Sequence, residues 1–288
     1  FDFMKAILLA GGTGTRLRPA TLGINKHLMP VYNKPMIYYS LSILMLCKFR
    51  EVILICDTDS KKIYQKIFSD GRYLGMKIHI IVQSKANGIP EAFSISKKYL
   101  KNESVCLMLG DNFFFGQGFY NILKKGINLK KGAFFLAYNV PNPEKYAVLE
   151  TKNNQILSIV EKPQNPKTNL AIPGIYFFDK NVVEYCKNLT KSKRGELEIV
   201  DLINMYIKKS FVKYEEIGRG ISWLDMGSFD DLNDCSNYIR AIEKRQNFMI
   251  SSLEEIAYLN KWITKKKLIK ISNKYNNEYG NYLKKLCL

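Results

Sequence analysis

Histidine is nearly missing from this chain, with only His27 and His79 in 288 residues. That excludes a histidine-rich metal centre and argues against a Ser-His-Asp triad. The six cysteines are scattered and form no CxxC pair, and Cys56 and Cys106 lie inside apolar runs. They read as buried, reduced thiols of a cytoplasmic protein, not as disulfides or zinc ligands. No apolar run approaches the roughly 18 residues of a spanning helix, so no membrane segment is expected. The N-terminus lacks a basic-then-apolar signal pattern, and Met4-Lys5 looks like a natural start after Phe1-Asp2-Phe3. Acidic residues are scarce relative to basic ones, 26 against 44, for a net charge of +18. The lysines are spread out, and clusters such as Lys265-Lys266-Lys267 are short. The excess therefore reads as a compositional habit, and no nucleic-acid partner is expected.

What is present is concentrated between Leu8 and Pro30, LLAGGTGTRLRPATLGINKHLMP. An apolar run stops at Gly11, Gly12 and Gly14, exposing backbone N–H groups that can wrap an anion. Arg16 follows where a guanidinium can fork onto phosphate oxygens. The spacing is neither GxxxxGK[ST] nor GxGxxG, so two familiar phosphate loops are excluded. What remains is a polyphosphate cradle of another kind, or a tight turn with a solvated arginine.

Apolar residues make up 47% of the chain, enough for a large core. The first half alternates: strands at 5–10, 51–57, 77–83 and 104–109, with helices at 36–49, 60–68 and 88–100. Near-continuous apolar strands between helices predict a Rossmann-like α/β fold, a mostly parallel twisted sheet flanked by helices. Its ligand site should lie beyond the carboxyl ends of the strands. The second half is richer in strands (132–140, 146–150, 156–162, 172–178, 211–217), with helices near 180–187 and 198–209. Helix-forming sequence follows to about 246, and short helical pieces with exposed-looking aromatics run from 251 onward. Two carboxylates stand at strand ends, Asp111 and Asp225. Beside a phosphate loop they suggest a hard cation held by oxygens, or merely turn-capping aspartates.

Many blocks in order carry a family resemblance: KAILLAGGTGTRLRPAT, NKHLMPVYNKPMIYYSLSILML, LGDNFFFG, EKPQNPKTNLAIPGIYFFD, RGELEIVDL, GRGISWLDMG and EEIAY..KWI. From Met4 to Leu286 the chain resembles bacterial glucose-1-phosphate thymidylyltransferases of the sugar-nucleotide pyrophosphorylase group. The resemblance implies transfer of a deoxythymidylyl group from dTTP to α-D-glucose 1-phosphate, with release of pyrophosphate and Mg²⁺ as cofactor. It implies a catalytic domain over 1–240 and a helical oligomerisation or regulatory lobe over 241–288. Within the first, about 1–130 would bind nucleotide and about 131–227 sugar phosphate. Leu9, Gly11, Gly12, Thr13, Gly14, Thr15 and Arg16 match the triphosphate loop. Lys26 matches a lysine at the reacting phosphate, and His27 a position near the nucleotide sugar. Gln83 and Gly88 match the base readers, and Asp111 and Asp225 the metal ligands. Tyr146, Ala147, Glu161, Lys162 and Arg194 match the sugar-phosphate side. Arg16, Lys26, Asp111, Lys162 and Asp225 are the implied catalytic set.

The resemblance further implies a homotetramer in dTDP-sugar and O-antigen supply, with a second, allosteric site at Gly218, Arg219, Glu255 and Ile256. Several positions depart from the family pattern: His27 for glutamine, Ala147 for glycine, Val160 for glutamate, Met226 for threonine, and Pro90-Glu91 for Ala-Gln. They leave open a UTP-using or amino-sugar-1-phosphate enzyme of the same fold. A catalytically silent nucleotide-binding paralogue is the alternative of another class.

Overall fold

The computed structural model describes residues 4–12, 14–153, 155–209 and 211–288. Its spine is a mixed sheet whose strands run, edge to edge, Lys77–Val82, Glu51–Cys56, Met4–Ala10, Ser104–Leu109, Ile175–Phe178, Ala133–Asn139, Leu170–Ala171, Ala147–Lys152 and Gln155–Glu161. The first four are mutually parallel. They alternate with helices in sequence, and a helix carries the chain back to start each strand in the same direction. Beyond Ser104–Leu109 the pairings along the sheet turn antiparallel, and Val212–Glu216 adds a parallel pairing to Ala133–Asn139.

Both faces of the sheet are covered, which is why its central strands are apolar on both sides. Leu8, Leu54 and Cys106 enter one apolar layer, while Ile7, Ile53 and Val105 enter the other. Each such fully buried aliphatic side chain contributes roughly 1.5–3 kcal/mol. The register aligns the parallel strands at their carboxyl ends: Ala10 faces Cys56, Cys56 faces Val82, and Leu9 faces Leu109. Gly11, Asp57, Gln83 and Gly110 therefore emerge along one rim.

Two elements escape the sequence pattern. Asn112–Gly116 is a strand, and it pairs antiparallel with Ile221–Asp225 in a separate ribbon. Phe119–Ile127 is a helix. The helix expected over 88–100 is in fact two short ones, Glu91–Ile95 and Lys97–Leu100. Ser96, at φ −87° and ψ −6°, ends the first and begins the second, serving as C-cap of one and N-cap of the other. The boundary expected at 240 falls inside the long helix Phe229–Gln246. The C-terminal helices Leu253–Leu259, Lys265–Ser272 and Glu278–Lys285 follow, and the first packs against helix Met36–Leu46. Among the described residues no helix is long and apolar enough to cross a membrane. All six cysteines are buried and free.

Candidate active site

The glycine loop leaves the first strand and enters a single 3-10 turn, Thr15–Leu17. Gly14 has φ 55°, and a Cβ there would stand 3.0 Å from the Thr21 side chain and 3.2 Å from Lys26 Cβ. A side chain at this position would be both strained and crowded. Thr21 Oγ1 donates to the Gly14 carbonyl at 2.8 Å and holds the turn. Thr13 lies outside the described residues.

Lys26 and His27 sit in a second 3-10 turn, Lys26–Leu28, and both are buried. Asn25 caps this turn and ties it to the sheet. Its Nδ2 donates to the Ala10 carbonyl at 3.1 Å and to Asp57 Oδ2 at 2.5 Å. Its Oδ1 accepts from the His27 N–H at 2.8 Å and lies 3.0 Å from His27 Nδ1. Because two acceptors claim the Asn25 amino group, its oxygen must face the imidazole, and His27 carries its proton on Nδ1. The ring lies against Gly110, where a Cβ would come 2.7 Å from His27 Cδ2. Burial lowers its pKa to about 4, so the ring is neutral at pH 7.

Asp111 follows the central strand Ser104–Leu109. Its Oδ2 accepts from Lys26 Nζ at 2.7 Å, and its Oδ1 from Asn112 Nδ2 at 2.9 Å. Burial works to raise its pKa, but the Lys26 ammonium and these hydrogen bonds win and bring it down to about 2. Asn112 is itself locked, with its Oδ1 accepting from the Gly174 N–H at 2.8 Å and from Trp223 Nε1 at 2.7 Å.

The ribbon brings in Asp225. It lies opposite Asn112 in the pairing, and the next N–H, of Met226, donates to the Asp111 carbonyl at 2.9 Å. Asp225 thus reaches Asp111 across 114 positions of sequence. Burial and then the negative charge of Asp111 hold its carboxyl above the usual range, although Tyr146 donates to its Oδ1 at 3.1 Å. A Cβ on Gly227 would stand 3.0 Å from both Asp225 Oδ2 and Arg16 Nη1, so the absence of a side chain there leaves room between them. Two carboxylates coupled by charge, with Asp111 lining the cleft, are the kind of oxygen donors that suit a hard divalent cation. Among the described residues there is no cluster of three or more metal-ligating side chains. Substrate or water oxygens would therefore have to complete the shell.

A cavity of about 300 Å³ is lined by Leu9, Gly11, Gly12, Gly14, Thr15, Arg16, Lys26, His27 and Asp111. A second of about 610 Å³ is lined by Gln83, Gly88, Asn25 and Asp57, and shares Leu9, Gly11 and Gly12 with the first. The two form one cleft along the strand ends. On its other side, Glu161 pairs with Ala147, and the Lys162 N–H donates to the Tyr146 carbonyl at 3.0 Å. Lys162 Nζ stands 3.9 Å and Arg194 Nη2 3.4 Å from Glu161 Oε1. Burial pushes the Glu161 carboxyl up, against the pull of these two cations. Tyr146 joins this group to Asp225.

The structure thus gathers Leu9, Gly11, Gly12, Gly14, Thr15, Arg16, Lys26, His27, Gln83, Gly88 and Asp111 in the cleft. Asp225 reaches it through the ribbon, and Tyr146, Ala147, Glu161, Lys162 and Arg194 cluster beside it. Gly218 and Arg219 are exposed on the turn after Val212–Glu216. Ile256 is buried in the same apolar layer as Ile217, and Glu255 accepts from Tyr282 Oη at 2.7 Å. Asn25 and Asn112 were not singled out from sequence. Their only signal is position, each one residue away from a candidate.

Comparison with known proteins gives the family and the fold. The nucleotidyl transferase family profile matches residues 5–241. The glucose-1-phosphate thymidylyltransferase of Neisseria meningitidis serogroup A is 42% identical, over 98% of this chain and 99% of its own. The Mycobacterium tuberculosis enzyme of the same name is 41% identical over the same shares. A Bacillus anthracis structure with bound sucrose, provisionally assigned to this activity, superposes with TM-score 0.77 at 36% identity, covering 82% of this chain and 95% of that one. A UDP-glucose pyrophosphorylase bound to UDP-glucose shares the fold, at TM-score 0.70 and 20% identity over 83% and 99% of the two chains. With a family profile that matches most of its length and relatives 42% and 41% identical over nearly all of it, the chain belongs to the nucleotidyl transferase family, among the glucose-1-phosphate thymidylyltransferases.

Proposed function

We propose that this chain joins dTTP to α-D-glucose 1-phosphate, giving dTDP-glucose and pyrophosphate. The observation that carries the reading is the meeting of Arg16, Lys26 and Asp111 in one cleft at the strand ends, with Asp225 brought beside Asp111 by the ribbon. A sugar-phosphate oxygen attacks the α-phosphorus in line, the bond to the bridging oxygen breaks, and pyrophosphate leaves with its electrons. The nucleophile is already an anion, so no histidine base is required, and the barrier is repulsion between two anions.

Each group answers part of that repulsion. The loop amides and Arg16 hold the triphosphate, and Lys26 neutralises charge at the reacting phosphorus. Gln83 and Gly88 meet the base. Glu161 accepts sugar hydroxyls, while Lys162 and Arg194 hold the 1-phosphate beside Tyr146 and Ala147. Asp111 and Asp225 would hold Mg²⁺, which when bound supplies positive charge to the phosphate oxygens.

The same reading carries a cytoplasmic homotetramer that supplies dTDP-sugar for surface polysaccharide such as O-antigen. The helical lobe would serve as interface, and Gly218, Arg219, Glu255 and Ile256 as a second, allosteric nucleotide site. Exposed Leu259 and Ile269 on that lobe support the interface, and free cysteines support the compartment. The test is pyrophosphate release from a panel of dTTP and UTP against glucose 1-phosphate and an amino-sugar 1-phosphate. The expected result is highest kcat/KM for dTTP with glucose 1-phosphate. A tenfold advantage for UTP would overturn the thymidylyl assignment.

A further inference from the structure

Gln83, at the carboxyl end of strand Lys77–Val82, could offer the cleft either its carbonyl oxygen or its amino group. The two choices read opposite ring edges, and the surroundings decide between them. Gln83 Nε2 lies 2.5 Å from Glu91 Oε2 and 3.3 Å from the Gly88 carbonyl oxygen. A carboxylate and a carbonyl only accept, so the amino group must face them. The Gln83 Oε1 atom is thereby turned toward the glycine loop, 3.8 Å from where a Cβ on Gly11 would stand.

Glu91 is fixed in turn. Its Oε1 accepts from Asn87 Nδ2 at 2.8 Å. The Asn87 amide has one orientation because its own oxygen accepts from Lys191 Nζ at 3.0 Å. The loop cannot slide away from this arrangement. The Leu197 N–H donates to the Asn87 carbonyl at 2.8 Å, and Gly88 packs so closely that a Cβ would fall 2.0 Å from the Leu197 carbonyl oxygen. The donors thus run from Lys191 to Asn87 to Glu91, with Gln83 donating into the same carboxylate. Neither the Gln83 nor the Asn87 amide can turn over without setting two acceptors or two donors face to face.

We propose that Glu91 is a positioning residue for nucleobase choice: it holds the Gln83 carbonyl oxygen toward the base. The cleft then takes a pyrimidine with a ring N–H, thymine or uracil, and rejects cytosine, whose corresponding ring nitrogen is a bare acceptor. The glutamine common here in the resembling family leaves both orientations of Gln83 open, because its amide can donate as well as accept. The carboxylate removes one. This inference deepens the assignment of the cleft as the nucleotide site and rests on it.

The test is equilibrium binding of dTTP and dCTP, by calorimetry, to the full chain and to Glu91→Gln, Gln83→Leu and the double variant. The unmodified chain should prefer dTTP. Glu91→Gln should lower the dTTP-to-dCTP preference about tenfold, the size of one mispaired hydrogen-bonding edge, mainly by tightening dCTP. Adding Glu91→Gln to Gln83→Leu should change nothing further, as a merely structural role would not predict. A preference unchanged by Glu91→Gln, or shifted equally in the Gln83→Leu background, overturns the inference. So does equal binding of both nucleotides by the unmodified chain. Base discrimination that responds as stated, without pyrophosphate release, would remove the transfer reaction and leave the role of Glu91 standing.

Discussion

The neutral, buried His27 makes a quantitative prediction about acid stability. In the unfolded chain its imidazole takes a proton near its ordinary value of 6.5, whereas burial lowers the folded value to about 4. Between these values the unfolded state binds more protons, so stability present above 6.5 is lost as pH falls toward 4. From pH 7.5 to pH 5 the loss from this residue is about 2 kcal/mol. His27→Gln keeps a polar side chain beside Asn25 and removes the titration. The assay is urea unfolding of both chains with chelator present, followed by tryptophan fluorescence at the two pH values. The unmodified chain should lose about 2 kcal/mol more than the variant over this interval, or roughly 0.7 M in midpoint at an m-value near 3 kcal/mol/M. Carboxyls pushed upward by burial, Glu161 and Glu255 among them, act in the opposite direction. Reading the difference between the two chains cancels them. Parallel pH dependence in the two chains would refute the argument that His27 is folded as the neutral ring.

Asp111→Asn and Asp225→Asn should each lower pyrophosphate release by at least about 100-fold, with unchanged circular dichroism; full turnover in both would dispose of the metal assignment. Asn25→Ala should cost about 1–3 kcal/mol of stability, because it strips partners from the Ala10 carbonyl, Asp57 and His27 together. Its denaturation midpoint checks this, and a loss below about 0.5 kcal/mol would mean that water replaces the amide at no cost.

Much of the site was legible because its residues announce themselves locally. Gly11 to Arg16 interrupt an apolar strand, and Asp111 ends another. A parallel sheet puts such interruptions on one rim whatever else the chain does. Other features depend on partners far away in sequence. Asn25 matters because Asp57 and Ala10 converge on it. Glu91 matters because Gln83, Asn87 and, through Asn87, Lys191 fix one another's orientation. The strand Asn112–Gly116 was hidden in a short aromatic run that exists as a strand only when Ile221–Asp225 comes to pair with it. The break at Ser96 has no proline or glycine to mark it, so a single helix was the natural reading of 88–100.

That ribbon also has a consequence in time. Apart from Gly227, the residues that line the first cavity run from Leu9 to Asp111, whereas Asp225, whose strand reaches Asp111, is made much later. A nascent chain can therefore shape the phosphate loop early, but it cannot close the carboxylate pair until residue 225 has emerged and found its partner. Contacts of such long sequence separation form late, because the intervening loop must be closed first. Competence to grip an anion would precede competence to hold a cation, so the half-made protein has a nucleotide cleft before it has a reaction centre.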